Sequence, residues 1–101
     1  MEHEILDLGG KRFFIKKAPA TVAYEIALRY RKALETKNVE EMQTCLYMLC
    51  KYIEVDLGDG RRVALDNQTI IDQHLTSASD LIALQKTAVK ANFGFFDKDA
   101  D

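Results

Sequence analysis

Three aspartates near the end of the chain are the first residues whose spacing suggests chemistry. Asp97, Asp99 and Asp101 occupy alternate positions, as do the first three ligands of an EF-hand calcium loop. Such a loop also needs a central glycine and a late bidentate glutamate, and this sequence shows neither after Asp101. The spacing therefore favours a solvated acidic tail over a calcium site.

The histidines and cysteines are too few and too scattered for a zinc site or a catalytic centre. A zinc site needs more nitrogen or thiolate ligands than His3 and His74 provide. Cys45 and Cys50 fall in one predicted helix, where their Cα atoms would lie about 8 Å apart, too far for a disulfide. We interpret both as reduced core thiols, which suits a cytoplasmic protein, and His74 as a capping or surface residue. We predict no catalytic residue, no cofactor, no metal site and no enzymatic activity.

One basic stretch has the composition of a nucleic-acid-binding surface. Its basic and aromatic residues are Tyr24, Arg29, Tyr30, Arg31, Lys32 and Lys37. Glutamates interleave with them, and the whole chain carries a net charge of -2 at pH 7. This balance favours a mixed solvated face. A small nucleic-acid-binding regulatory protein that uses the first helix pair is kept as the alternative function.

Aromatic residues near the end of the chain are the strongest indication of a binding protein. Phe93 continues a helical stripe through Val89, which predicts a core position. Phe95 and Phe96 fit two interpretations, a plug over the core and a contact with another protein. We name Phe95 and Phe96 as candidate protein-binding residues. Tyr47 and Met48 join them, because the segment 45–50 is apolar on every side. A central position in the fold and an interface with a partner, including a second copy of the chain, both explain that segment.

The elements that must position these residues begin with two predicted hairpins. Gly9-Gly10 separates two apolar runs, which is a strong signal for a two-residue turn. The segment 58–61 separates Val55–Leu57 from Arg62–Leu65 in the same way. The sequence thus predicts two small β-ribbons.

Periodicity predicts the helices between and after these ribbons. The first runs from about Thr21, a plausible cap, to Thr36. Asn38 followed by Glu41 resembles a capping box and opens a second helix, antiparallel to the first. The apolar stripe of the second helix comprises Val39, Met42, Leu46, Leu49 and Ile53. A short helix opens at Thr69, and a last helix runs from the capping box of Ser77 and Asp80 to about Asn92, with Leu81, Leu84, Ala88 and Val89 inward.

Together these elements predict a single helix-rich α+β domain spanning residues 1–101, with an N-terminal β-hairpin, an antiparallel helix pair, a second short β-hairpin and C-terminal helices. A chain of 101 residues can bury one modest core without disulfides or a structural metal. We expect an aromatic and acidic tail at 94–101, whose order the sequence leaves open. The sequence shows no signal peptide and no apolar segment long enough to cross a bilayer, so no membrane is expected.

In combination, several of these features resemble the small tail assembly chaperones of long-tailed bacteriophages. The resemblance spans most of the chain. The features are the N-terminal ribbon closing on Phe13-Phe14-Ile15, the alanine-rich helix from Tyr24 to Leu34, the apolar helix from Met42 to Ile53, the Gly58-Asp59-Gly60-Arg61 ribbon, Ile70-Ile71-Asp72 and the closing Asn92-Phe93-Gly94-Phe95-Phe96.

The resemblance implies a non-enzymatic viral protein of the host cell cytoplasm. Members of that family bind the long helical tape-measure protein, keep it soluble and help the tail-tube protein polymerise around it. Many are also made in a longer form by ribosomal frameshifting, and the resemblance here is to the short form. The expected partners are the tape-measure protein, with the tail-tube protein and a second copy of the chain as further candidates.

Overall fold

The computed structural model describes the backbone of residues 4–100 and the side chains of residues 4–93. This described part contains four strands and four helices, which confirms the predicted α+β class, both hairpins and the helix pair. In chain order they are β1 (Glu4–Leu8), β2 (Lys11–Ile15), α1 (Ala20–Thr36), α2 (Val39–Cys50), β3 (Ile53–Asp56), β4 (Arg62–Ala64), α3 (Gln68–His74) and α4 (Ala78–Ala100).

The two hairpins join into one antiparallel sheet of order β1-β2-β3-β4, rather than remaining separate ribbons. The joint is the pairing of β2 with β3, in which Phe13 lies opposite Val55 and Ile15 opposite Ile53. All four of these side chains are buried. The shared apolar face of the two inner strands thus holds the sheet against the helices.

The ends of several elements follow from local hydrogen bonding. Gly9 and Gly10 have φ values of 57° and 80°, and positive φ at both positions is what a tight β1–β2 turn of type I′ requires. The Asn38 side chain accepts a hydrogen bond from the Glu41 backbone N–H at 3.1 Å, which confirms the predicted cap of α2. Ser77 accepts one from the Asp80 N–H at the start of α4, also at 3.1 Å.

The predicted start of the first helix and the predicted end of the second helix were wrong. The first helix is not capped by Thr21: it begins at Ala20 after Pro19, whose side chain makes no capping hydrogen bond. The fixed φ of proline orients the chain for helix entry without a side-chain cap. The second helix ends at Cys50, and Ile53 belongs to β3. The helical spacing of Ile53 is overridden because a strand conformation buries it opposite Ile15.

The core lies between the inner face of the sheet and helices α1, α2 and α4. Helix α2 contributes three fully buried side chains, Cys45, Leu49 and Cys50, and contacts both α1 and α4. Its predicted inward stripe does not hold at the first residue, since Val39 is 60% exposed. Val39 is the first residue of α2 and lies in an exposed stretch, residues 34–40, that includes the end of α1 and the connection between the two helices.

Helix α4 changes direction near its predicted end. Phe93 has non-helical dihedrals, φ −117° and ψ 22°, and the backbone then resumes helical conformation up to Ala100. The kink falls one residue after the predicted end of the last helix at about Asn92, and the helical segment that follows it was not predicted. Phe93 itself is 2% exposed, and its ring centroid lies 5.9 Å from that of Tyr30. The predicted core role of Phe93 is confirmed.

Candidate protein-binding groove

Helices α1, α2 and α4 meet around an open groove with a largely apolar floor. The groove has a volume of about 390 Å³, enough for a few side chains but not for a large ligand. Its lining residues are Tyr30 from α1, Leu46 from α2, and Ile82, Gln85, Lys86, Val89 and Lys90 from α4.

Helix α4 supplies one continuous face of this groove. Ile82, Lys86 and Lys90 follow one another at intervals of four residues, and Gln85 and Val89 lie three positions after Ile82 and Lys86. Residues at these spacings share one side of a helix. Ile82 is 51% exposed, which is a large apolar surface for a residue that borders a concave site.

The polar wall of the groove is connected to the core. The Gln85 side chain lies near the Cys50 thiol, and Cys50 is fully buried. Burial raises the pKa of Cys50 to about 11, although the Gln85 side chain opposes the rise. A thiol with so high a pKa stays protonated near neutral pH and is a poor nucleophile.

The predicted binding residues of α2 lie beside the groove rather than in it. Tyr47 and Met48 are partly buried and pack against the core. The Met48 sulfur accepts a hydrogen bond from the Arg29 guanidinium at 3.5 Å. Their neighbour Leu46 lines the groove instead, because each residue of a helix is rotated by about 100° from the one before it.

The predicted binding residues Phe95 and Phe96 lie outside the side chains that the structure describes. Their assignment as a core plug or as a partner contact stays a prediction. The same holds for the order of the aromatic and acidic tail at 94–101.

Sequence reasoning missed the α4 side of the groove. It assigned the inward face of this helix to Leu81, Leu84, Ala88 and Val89 and passed over Ile82. A signal was present, since Ile82, Lys86 and Lys90 form a stripe that combines one apolar residue with two cations. That stripe adjoins the buried face, where side chains often contact partners.

The basic stretch on α1 is neutralised in part by ion pairs. Arg29 makes two hydrogen bonds to the Glu41 carboxylate, at 2.7 and 3.2 Å, and they lower the pKa of Glu41. Arg31 and Glu35 form a longer pair, at 3.7 Å. Tyr30 faces the groove rather than the basic residues. This arrangement agrees with a mixed solvated face.

A second, wider cleft lies between the tips of the two hairpins and the end of α3. Its volume is about 700 Å³. Its charged and ionisable lining residues are Asp7, Lys11, Arg12, Asp56 and His74. Arg12 pairs with Asp7 at 3.1 Å, and Lys11 Nζ lies 2.9 Å from His74 Nδ1. Because acidic and basic groups alternate here, the cleft has no dominant charge to select a ligand.

The described residues contain no group of three or more His, Cys, Asp or Glu side chains placed to hold a metal ion. Within the same part of the chain, no helix combines the length and the apolar character needed to cross a membrane. Both cysteines are free and buried, which confirms their predicted place in the core. In comparisons with known proteins, no family model, no curated protein and no solved structure matches this chain.

Proposed function

We propose that this protein is a tail assembly chaperone of a long-tailed bacteriophage, which binds the tape-measure protein and assists tail-tube polymerisation. The observation that carries the binding role is the open apolar groove between α1, α2 and α4, with Ile82 half exposed at its border. The sequence resemblance supplies the identity of the partner.

The geometry of the groove suits a partner that has to be held and then released. A long helical protein without its tube exposes apolar stripes, and a helix can lay such a stripe into a groove between other helices. The groove is open and covers only a short length of α4. Such a contact is modest in area, so it can separate when tube subunits compete for the partner.

The alternative of a nucleic-acid-binding regulator receives less support from the same surface. Arg29 and Arg31, the two arginines of the basic stretch, are both near glutamates. Arginines that are already paired with carboxylates neutralise phosphates less effectively and so displace fewer counterions from a nucleic acid, which lowers their contribution to affinity. We therefore advance the chaperone function and treat nucleic-acid recovery as an outcome that would contradict it.

The test is a tagged pull-down from host cells during phage production, with mass spectrometry and nucleic-acid staining of the retained material. We expect the wild-type protein to retain the tape-measure protein, and the Ile82→Ser variant to retain at least about fivefold less, since a lost apolar contact costs on the order of 1 kcal/mol. Leu28→Ser is the matched control, because Leu28 is 46% exposed on α1 and does not line the groove.

Thermal unfolding of both variants separates binding from folding. Both side chains are about half exposed, so we expect similar, small changes in the free energy of unfolding. Recovery of nucleic acid, or of no phage structural protein, would contradict the proposed function.

A further inference from the structure

We infer that the groove binds an acidic amphipathic helix, whose apolar side chains contact Tyr30, Leu46 and Ile82 and whose carboxylates pair with Lys86 and Lys90. This inference rests on the proposed function, because it names the kind of segment through which the partner is recognised. The ion pairs make the groove specific for acidic helices, whereas the apolar contacts alone would accept any amphipathic helix.

The length of the groove matches a short helical segment. From Ile82 to Lys90, α4 advances by about 12 Å, or roughly two turns. A partner helix of similar length presents apolar side chains at positions i, i+3, i+4 and i+7 on one face. Those side chains would fill the volume of about 390 Å³ between the three helices.

The charged residues of the groove favour acidic side chains on the flanks of that partner helix. Lys86 and Lys90 are exposed and one turn apart, and they are the charged members of the lining. Among the described side chains neither makes an ion pair, whereas Arg29 pairs with Glu41 and Lys16 with Glu54. On a chain of net charge -2, two adjacent cations beside an apolar floor favour carboxylates on the partner.

A second copy of the chain is the competing occupant. The sequence 95–101 combines two phenylalanines with three aspartates, so it carries the same kinds of groups that the groove would select. Self-association through the groove would leave no site for a separate partner. The experiment therefore has to distinguish binding of a second copy from binding of a separate partner helix.

The probes are three labelled synthetic helices tested by fluorescence anisotropy. One carries leucines on one face with glutamates on its flanks, the second has lysines in place of the glutamates, and the third has serines in place of the leucines. We expect the first to bind about tenfold more tightly than either of the others, because it alone matches both the apolar floor and the lysines. Its affinity should fall as the ionic strength rises above about 0.15 M.

Charge reversal locates the binding in the groove. In the Lys86→Glu/Lys90→Glu variant, the preference should invert, so that the lysine-flanked helix binds more tightly than the glutamate-flanked one. The matched control is Lys17→Glu/Lys32→Glu, which makes the same charge change at exposed positions outside the groove lining. The control should keep the wild-type preference. Equal affinity for all three helices, or the same loss in both double variants, would overturn the inference.

Two further results separate this inference from the proposed function. If Lys86→Glu/Lys90→Glu retains as much tape-measure protein as the wild type, the function stands and the groove inference fails. If the protein selects the acidic helix but retains no tape-measure protein, the function fails and the groove chemistry stands.

Sedimentation tests self-association through the groove. A concentration-dependent increase in mass that Lys86→Glu/Lys90→Glu abolishes would assign the groove to a second copy and overturn the inference.

Discussion

The surroundings of His74 determine both its tautomer and the direction of its pKa shift. Its Nδ1 lies 2.9 Å from Lys11 Nζ. An ammonium group can only donate, so Nδ1 accepts and the neutral imidazole carries its proton on Nε2. Burial is the main cause that lowers the pKa of His74, and the positive charge of Lys11 lowers it further.

This lowered pKa predicts a loss of stability in mild acid. The unfolded chain takes up a proton at the usual histidine pKa of about 6.5, whereas folded His74 resists protonation. The free energy of unfolding should therefore fall as the pH decreases through about 6.5 and below. Urea unfolding at a series of pH values measures this.

The control for that prediction is His74→Gln, which keeps a hydrogen-bond acceptor for Lys11 but cannot titrate. We expect a shallower loss of stability with decreasing pH in this variant. His3 is present in both proteins and does not affect the comparison. An identical pH dependence in the two would contradict the assigned environment of His74.

At the scale of the elements, Asn92 fastens α4 to the segment that leads into α1. Its side-chain oxygen accepts a hydrogen bond from the Ala18 backbone N–H at 2.8 Å, and its amide nitrogen donates to the Ala88 carbonyl at 2.9 Å. Asn92 is only 8% exposed. A buried amide with both of its ends paired fixes the position of α4 relative to the sheet and α1.

Removing this amide should be costly. Asn92→Leu keeps the branching at Cγ but leaves the Ala18 N–H without its partner, and we expect a loss of about 2 kcal/mol in the free energy of unfolding. Chemical denaturation measures the change. Thr87→Val is the control, because the Thr87 hydroxyl only donates to the Ala83 carbonyl one turn earlier in α4. Equal losses in the two variants would show that Asn92 does not connect the elements.

At the scale of the whole molecule, the two cysteines report on the integrity of the core. Cys45 and Cys50 are both fully buried, among side chains from the sheet, α1 and α4. Burial is the main cause of a raised pKa at each thiol, and at Cys50 the pKa reaches about 11. Neither thiol can react until the packing around α2 opens.

We therefore expect both thiols to be protected in the native protein and to become reactive together. With a disulfide reagent such as DTNB near pH 8, reaction should be slow without denaturant and should accelerate through the unfolding transition. The single variants Cys45→Ala and Cys50→Ala should show the same dependence on urea. Rapid modification of one cysteine under native conditions would indicate a local opening and contradict a single cooperative core.

Local signals in the sequence were sufficient to predict most helices and strands of this fold. The glycine pair at 9–10 and the caps at Asn38 and Ser77 were predicted, because turn preferences and capping bonds act among residues a few positions apart. The predicted end of α2 at Ile53 was wrong, because the long-range pairing of Ile53 with Ile15 places Ile53 in a strand. The joining of the two hairpins was missed for the same reason, as β2 and β3 lie on opposite sides of the helix pair in the chain.

The groove could not be read from any one stretch of the chain. Residues 45–50 are apolar on every side, so periodicity cannot tell that Leu46 rather than Tyr47 or Met48 borders the groove. The composition and the amphipathic pattern are enough to require a packed α+β core. Which apolar side chains are left at the surface depends on how helices distant in sequence come together, because burial is a property of contacts and not of residue type.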